Sequence, residues 1–235
     1  MTDTADAPQF SVAELHEAIA ATRPDELCLV FRDLRLTWAQ VTDRTRRLAN
    51  HLIAQGLGCT VERPHLAGHE SGQDHLAIYL HNGNEYLESQ FAAFKMRGVP
   101  VNVNYRYLDD ELVYLLDNAD AEALVFHSSL ADRVARIRER LPRIRLIVEV
   151  DDGGAGSSPD VLAYEPLLAA HAPMPRIERS ETDTYMLYTG GTTGMPKGVM
   201  YEMGSMAQGF ITGGLPQDAY GFSAATGDFN HDGTV

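Results

Sequence analysis

Apolar residues in the segment 37–55 recur at Trp38, Val41, Leu48 and Leu52, close to one helical face. The spacing predicts a helix with Thr37 as its N-cap, stopped by Gly56 and Gly58. A second helix is expected over 85–96, with Asn84 as a possible cap and Gly98 as the stop. A third is expected over Asp109–Asn118, with Leu112, Leu115 and Leu116 turned inward, and a fourth over 130–141, ended by Pro142. Short apolar runs at 76–80, 99–103, 123–126 and 144–150 fall between these helices and are strand-sized. Pro100 points to an edge strand or a strand start for the second of these runs. Helix and strand alternate, which predicts an α/β fold: a mostly parallel sheet flanked by helices on both faces.

Residues 151–160 (Asp-Asp-Gly-Gly-Ala-Gly-Ser-Ser-Pro-Asp) read as a surface loop, and 161–171 as a short helix. Residues 1–9 are expected to be a disordered N-terminus and 213–235 a tail of no assigned structure, leaving 10–212 as the folded part. No internal repeat is visible.

Composition narrows the function classes. The chain has 235 residues, 44% hydrophobic and 22% charged, as in ordinary globular proteins. Its formal charge of -14 would repel phosphate backbones and anionic lipid, which argues against a nucleic-acid or membrane-surface role. Cys28 and Cys59 form no Cys-x-x-Cys pair and suit a reducing cytoplasm. The acidic N-terminus lacks the apolar stretch of a signal peptide, and no apolar run approaches the ~20 residues of a membrane span.

The chemistry concentrates at 184–201. An apolar strand at 185–188 enters a loop of glycine and threonine, and a second apolar run at 199–201 leaves it. Gly190, Gly191, Gly194 and Gly198 allow backbone N–H groups to converge on an anion. Thr189, Thr192 and Thr193 add hydroxyl donors, and Lys197 adds a positive charge. The set is suited to a polyphosphate. It is not a Walker A loop, because Lys197 is followed by Gly198 and strand-like residues rather than by Ser or Thr and a helix. A hairpin loop between two strands is expected instead. A generic P-loop hydrolase is disfavoured on the same grounds, and a plain Gly/Thr surface turn is the remaining alternative.

Residues 188–199 resemble the phosphate-loop signature of the adenylate-forming superfamily, which includes acyl-CoA synthetases. Gly190 stands where the usual pattern has Ser, and the Gly-Gly form is most similar to bacterial fatty-acid and steroid-acid CoA ligases. Leu36-Thr37-Trp38, the run from Phe94 to Asn104, and Tyr105-Arg106-Tyr107 with Asp110-Glu111-Leu112 extend the resemblance over roughly 10–212.

The resemblance implies the N-terminal domain of the adenylate-forming fold, incomplete here. It implies ATP-dependent activation of a carboxylic acid to an acyl-adenylate and then to acyl-CoA, with ATP, Mg²⁺ and CoA as cofactors and co-substrates. Thr189, Gly190, Gly191, Thr192, Thr193, Gly194 and Lys197 would bind nucleotide, and Thr189 and Lys197 would act in catalysis. An aromatic-Gly-x-Thr-Glu segment and a C-terminal domain with a catalytic lysine are not found, so an inactive nucleotide-binding fragment is the rival reading. Incomplete cover of the sheet would favour a homo-oligomer. Thr226-Gly227-Asp228 with Asp232-Gly233 is similar to a ribose-binding motif, or is a coincidence in a polar tail. A calcium loop from Asp228 runs out of chain before its last ligand.

Four other constellations read as structural. Cys59, His65, His69, His75 and His81 match no zinc spacing and read as solvated histidines, and no metal ligand is assigned. His81-Asn82-Gly83-Asn84 falls at a strand end, where open α/β sheets place ligands, or is simply a turn. Glu85 and Glu88 read as a solvated helix face. Arg133, Arg136, Arg138, Arg140, Arg143 and Arg145 read as a solvated basic face, with CoA phosphates or acidic helices of the same chain as alternatives.

Overall fold

The computed structural model describes residues 11–68, 70–154, 160–189 and 196–212. The expected disordered N-terminus at 1–9 and the tail at 213–235, with its ribose-like and calcium-like motifs, lie outside the described residues.

The described chain begins with α1 (Val12–Thr22), whose N-cap Ser11 accepts the Glu14 N–H at 3.2 Å. A hairpin of β1 (Leu27–Phe31) and β2 (Leu34–Thr37) follows. Then comes α2 (Trp38–Ala54). Thr37 caps it as expected, in a reciprocal box: its hydroxyl accepts the Gln40 N–H, and the Gln40 side chain accepts the Thr37 N–H at 2.8 Å. Gly56, at φ 77, ends it in the left-handed conformation, and the Leu57 N–H returns to the Leu52 carbonyl.

The main unit runs β3 (His75–Tyr79), α3 (Asn84–Lys95), β4 (Val99–Asn102), α4 (Asp109–Asn118), β5 (Ala121–His127), α5 (Ala131–Ile137), β6 (Leu146–Val150), β7 (Leu162–Ala163), α6 (Tyr164–Ala170), β8 (Thr184–Thr189), β9 (Lys197–Glu202) and α7 (Met203–Thr212). The strands form one sheet in the order β7-β6-β5-β3-β4-β8-β9. All its neighbours are parallel except the β8–β9 pair. The expected fold class therefore holds.

The sheet is covered on both faces because its strands are apolar on both sides. Ala77 and Tyr79 of β3, Leu124 and Phe126 of β5 and Val99 and Val101 of β4 pack with Leu112, Leu115 and Leu116 of α4. The alternate residues Leu76, Ile78, Ala123 and Val125 pack with Leu48 and Leu52 of α2 and with Tyr164 and Leu167 of α6. A third cluster joins α1, α7, Phe94 and Tyr185. β3 connects through α3 to β4 on one side, whereas β5 connects through α5 to β6 on the other. The connections that leave the adjacent strands β3 and β5 therefore run in opposite directions from their carboxyl ends.

Several boundaries differ from expectation for identifiable reasons. Asn84 is not the cap of α3. It lies inside the helix, after Gly83, and its amide donates to Glu88 at 3.2 Å. The expected helix over 130–141 shortens to Ala131–Ile137, flanked by 3₁₀ turns at Ser128–Leu130 and Arg138–Arg140. The expected helix over 161–171 gives its first residues to β7. Pro100 falls at the start of β4, as one of the two expectations had it, but the strand is interior rather than an edge. The Val99 and Val103 N–H groups both bond towards β3, so position 100 faces β8, where the ladder registers at a single pair.

Candidate functional site

β8 and β9 form the expected hairpin, with register running from Thr184↔Glu202 to Thr189↔Lys197. Thr189 and Lys197 therefore face each other where the two strands part, and both are exposed. Among the described residues no carboxylate pairs with Lys197. Gly190, Gly191, Thr192, Thr193 and Gly194, the expected phosphate cradle, lie outside the described residues. Of the predicted site, the structure thus places its two ends and brings them together: one hydroxyl and one ammonium. That pair suits a polyanion such as a nucleotide phosphate.

The root of the hairpin is firmly packed. Tyr188 and Met186 point into the core cluster around α4, while Tyr185 packs on the opposite face. The Tyr188 hydroxyl donates to Asn118 Oδ1 at 2.8 Å, and its N–H donates to Asn102 Oδ1 at 3.3 Å. Burial pushes the Tyr188 hydroxyl up to about 12, so it remains a donor at neutral pH. Below the root, Arg97 donates to Asp183, the residue before β8, at 2.8 Å, and to Glu62 at 2.8 Å.

At the carboxyl ends of the parallel strands, His81, His127 and Asp152 come within 4.8 Å of one another. His81 stacks on His127, with ring centroids 5.3 Å apart, and meets Tyr105 edge-on at 4.5 Å. Part of the group is engaged in hydrogen bonds within the chain. His127 Nδ1 accepts the His81 N–H at 2.9 Å, which makes Nε2 the protonated nitrogen of the neutral ring. Burial holds the His127 pKa below its usual value and so favours that neutral ring. Both Asp152 oxygens accept from Ser128 and Ser129. These hydrogen bonds tie the ends of β5 and β6 together.

The remaining histidines are not uniformly solvated. His75 is buried, with Nδ1 on the Ala119 carbonyl at 2.5 Å and Nε2 on Ser71 at 2.8 Å, whereas His65 is exposed as expected. His69 lies outside the described residues. Glu88 corrects the solvated-face expectation outright: it is fully buried. Arg44 grips it through two nitrogens at 2.8 and 3.0 Å, and the Tyr164 hydroxyl donates to it at 2.9 Å. The arginines of 133–145 pair largely with acids of the same chain: Arg136 with Asp109, Arg140 with Asp110, Arg143 with Asp120 and Arg145 with Glu122.

Buried charges between α1, α2 and α3 were missed by the sequence reading. Lys95 has no exposed surface. It donates to Thr45 at 2.7 Å and pairs with Glu17 at 3.3 Å, while Glu17 also binds Arg46. Burial pushes the Lys95 ammonium down to about 8. The only sequence signal was a run of titratable residues on helix faces that otherwise turn inward.

Residues 16–227 match the family model described as AMP-binding enzyme. The chain is similar to the medium-chain acyl-CoA ligase Mig of Mycobacterium avium, 46% identical over 86% of this chain and 37% of that protein. It is also similar to a 3-oxocholest-4-en-26-oate–CoA ligase of Rhodococcus rhodochrous, 38% identical over 82% of this chain and 33% of that protein. It thus spans about a third of the length of these relatives. Its fold is similar to that of part of the anthranilate CoA ligase AuaEII, solved with anthranoyl-AMP: TM-score 0.76, 20% identity, covering 88% of this chain and 38% of that one.

Proposed function

The chain belongs to the AMP-binding enzyme family, and from that premise we propose that it supplies the phosphate-binding part of an ATP-dependent acid–thiol ligase. The observation that carries this reading is the juxtaposition of Thr189 with Lys197, which has no carboxylate partner among the described residues, at the mouth of the β8–β9 hairpin. In this reaction a carboxylate attacks the α-phosphorus of ATP and pyrophosphate leaves. The thiol of CoA then attacks the acyl carbon and displaces AMP. Negative charge grows on the departing pyrophosphate, so fixed donors on the β- and γ-phosphates lower the barrier. Lys197 supplies the positive charge, and Thr189 supplies a hydroxyl donor. Gly190, Gly191, Thr192, Thr193 and Gly194 are assigned the backbone and hydroxyl contacts between them. Mg²⁺, when bound with ATP, would offset part of the same charge.

The acid is assigned to the fatty or steroid side-chain class, after the names of the relatives. A cytoplasmic location is part of this proposal, and the two free thiols, Cys28 and Cys59, fit a reducing compartment. Among the described residues no helix is long and apolar enough to cross a membrane.

The test is titration of the full chain with MgATP, followed by acid-dependent ATP–pyrophosphate exchange. MgATP binding that Lys197→Ala weakens at least about tenfold is expected, as for loss of a charge-assisted contact. A folded chain that ignores MgATP would sink the reading. Binding without exchange for any fatty or steroid acid would support the narrower alternative, a chain that holds nucleotide but does not complete the reaction.

A further inference from the structure

β8 outruns the strand that supports it. The β4–β8 ladder registers at Val101↔Met186, and β4 ends one residue later, at Asn102. Tyr188 and Thr189 therefore extend past the end of β4, and on their other side they have only β9, an edge strand of the described sheet. Two side chains take over where the ladder stops. Asn102 Oδ1 accepts the Tyr188 N–H at 3.3 Å, in the place of a missing strand carbonyl. Asn118, the last residue of α4, accepts the Tyr188 hydroxyl at 2.8 Å. The Tyr188 ring also lies over Gly198, its cross-strand partner. A Cβ added at Gly198 would come within 3.1 Å of the ring and 3.1 Å of Met186 Sδ, so the absence of a side chain there lets the ring reach Asn118.

We propose that Asn102 and Asn118 are positioning residues, which act through Tyr188 to fix Thr189 and Lys197 for phosphate binding. This rests on the phosphate-binding reading above. Neither asparagine touches the nucleotide. Each holds Tyr188, which precedes Thr189 on β8 and pairs across to Gly198, the neighbour of Lys197 on β9.

The experiment is a MgATP titration by calorimetry on the full chain, paired with residue-level amide exchange without nucleotide. Asn118→Ala, Asn102→Ala and Tyr188→Phe are each expected to weaken MgATP about two- to tenfold, the effect of one lost hydrogen bond. Asn118→Asp keeps the acceptor and is expected to restore affinity, which a role in general stability does not predict. Arg145→Ala, at the opposite end of the sheet, is expected to lower the melting midpoint and leave the affinity unchanged. The Tyr188 and Thr189 amides are expected to exchange faster in Asn118→Ala. Wild-type affinity in Asn118→Ala, or equal losses in Asn118→Ala and Asn118→Asp, overturns the inference. If wild type does not bind MgATP, the phosphate-binding reading fails. The exchange rates then judge the anchor separately: faster exchange in Asn118→Ala upholds it, and unchanged exchange overturns it.

Discussion

His16 shows what a buried titratable side chain does to this protein. It lies on α1 between Trp38 and Phe91, with ring centroids 5.2 and 4.3 Å away, and among the described residues neither ring nitrogen has a hydrogen-bond partner. Burial, and then the nearby Lys95 charge, pushes its pKa down to about 3. The unfolded chain takes up a proton near 6.5, so it binds more protons than the folded chain in between. The stability His16 permits is therefore present above about pH 6.5 and is lost as pH falls towards 3. The full shift corresponds to a few kcal/mol, on the order of 1.4 per unit. His16→Leu removes both the orphaned nitrogens and this titration. Calorimetric melting is expected to show a smaller loss between pH 7.5 and 5 in the variant than in wild type, and an equal loss would refute the assignment. The sequence marks the burial of His16, Lys95 and Glu88 only weakly. Each sits on a helix whose neighbours turn inward, and burial of a charge depends on a partner distant in sequence, such as Arg44 for Glu88.

At the scale of elements, legibility follows the locality of the signal. Thr37 and Gln40 form a cap within four residues, and the sequence alone points to Thr37. Thr37→Ala is expected to cost about 1 kcal/mol, read as a lower urea midpoint with an unchanged slope; an unchanged midpoint would mean that tertiary packing alone holds α2. The leucine spacing of α4 was equally readable, since Leu112, Leu115 and Leu116 are all buried. The β1–β2 hairpin was not. Its two-residue turn is Arg32-Asp33, with Arg32 at φ 52, and it lacks the Asn-Gly or Asp-Gly pair that advertises such a turn. The interior place of Pro100 was also hidden, because whether a missing N–H matters depends on where the neighbouring strand stops.

For the whole molecule, the parallel sheet and the β8–β9 hairpin were legible from periodicity and from one glycine-rich signature. The bracing of that hairpin by Asn102 and Asn118 was not, since those contacts span 86 and 70 residues. The sheet's two edges were also unequal in a way the sequence did not show. β7 has two residues and offers little backbone to a stranger, whereas β9 has six and carries an exposed Val199. Among the described residues nothing pairs with the outer side of β9. An unpaired edge of that length favours pairing between copies, while a net charge of -14 opposes it. Repulsion between whole molecules acts over a screening length of ~10 Å at 0.1 M salt and ~3 Å at 1 M, but strand hydrogen bonds act at contact. Salt should therefore remove the opposing force and leave the attraction. Sedimentation velocity is expected to show monomer at low ionic strength and association as salt rises, with Val199→Lys, a charge placed on the edge strand, remaining monomeric throughout. Association that weakens with salt would point to the surface ion pairs instead, and association unaffected by Val199→Lys would place the contact away from β9.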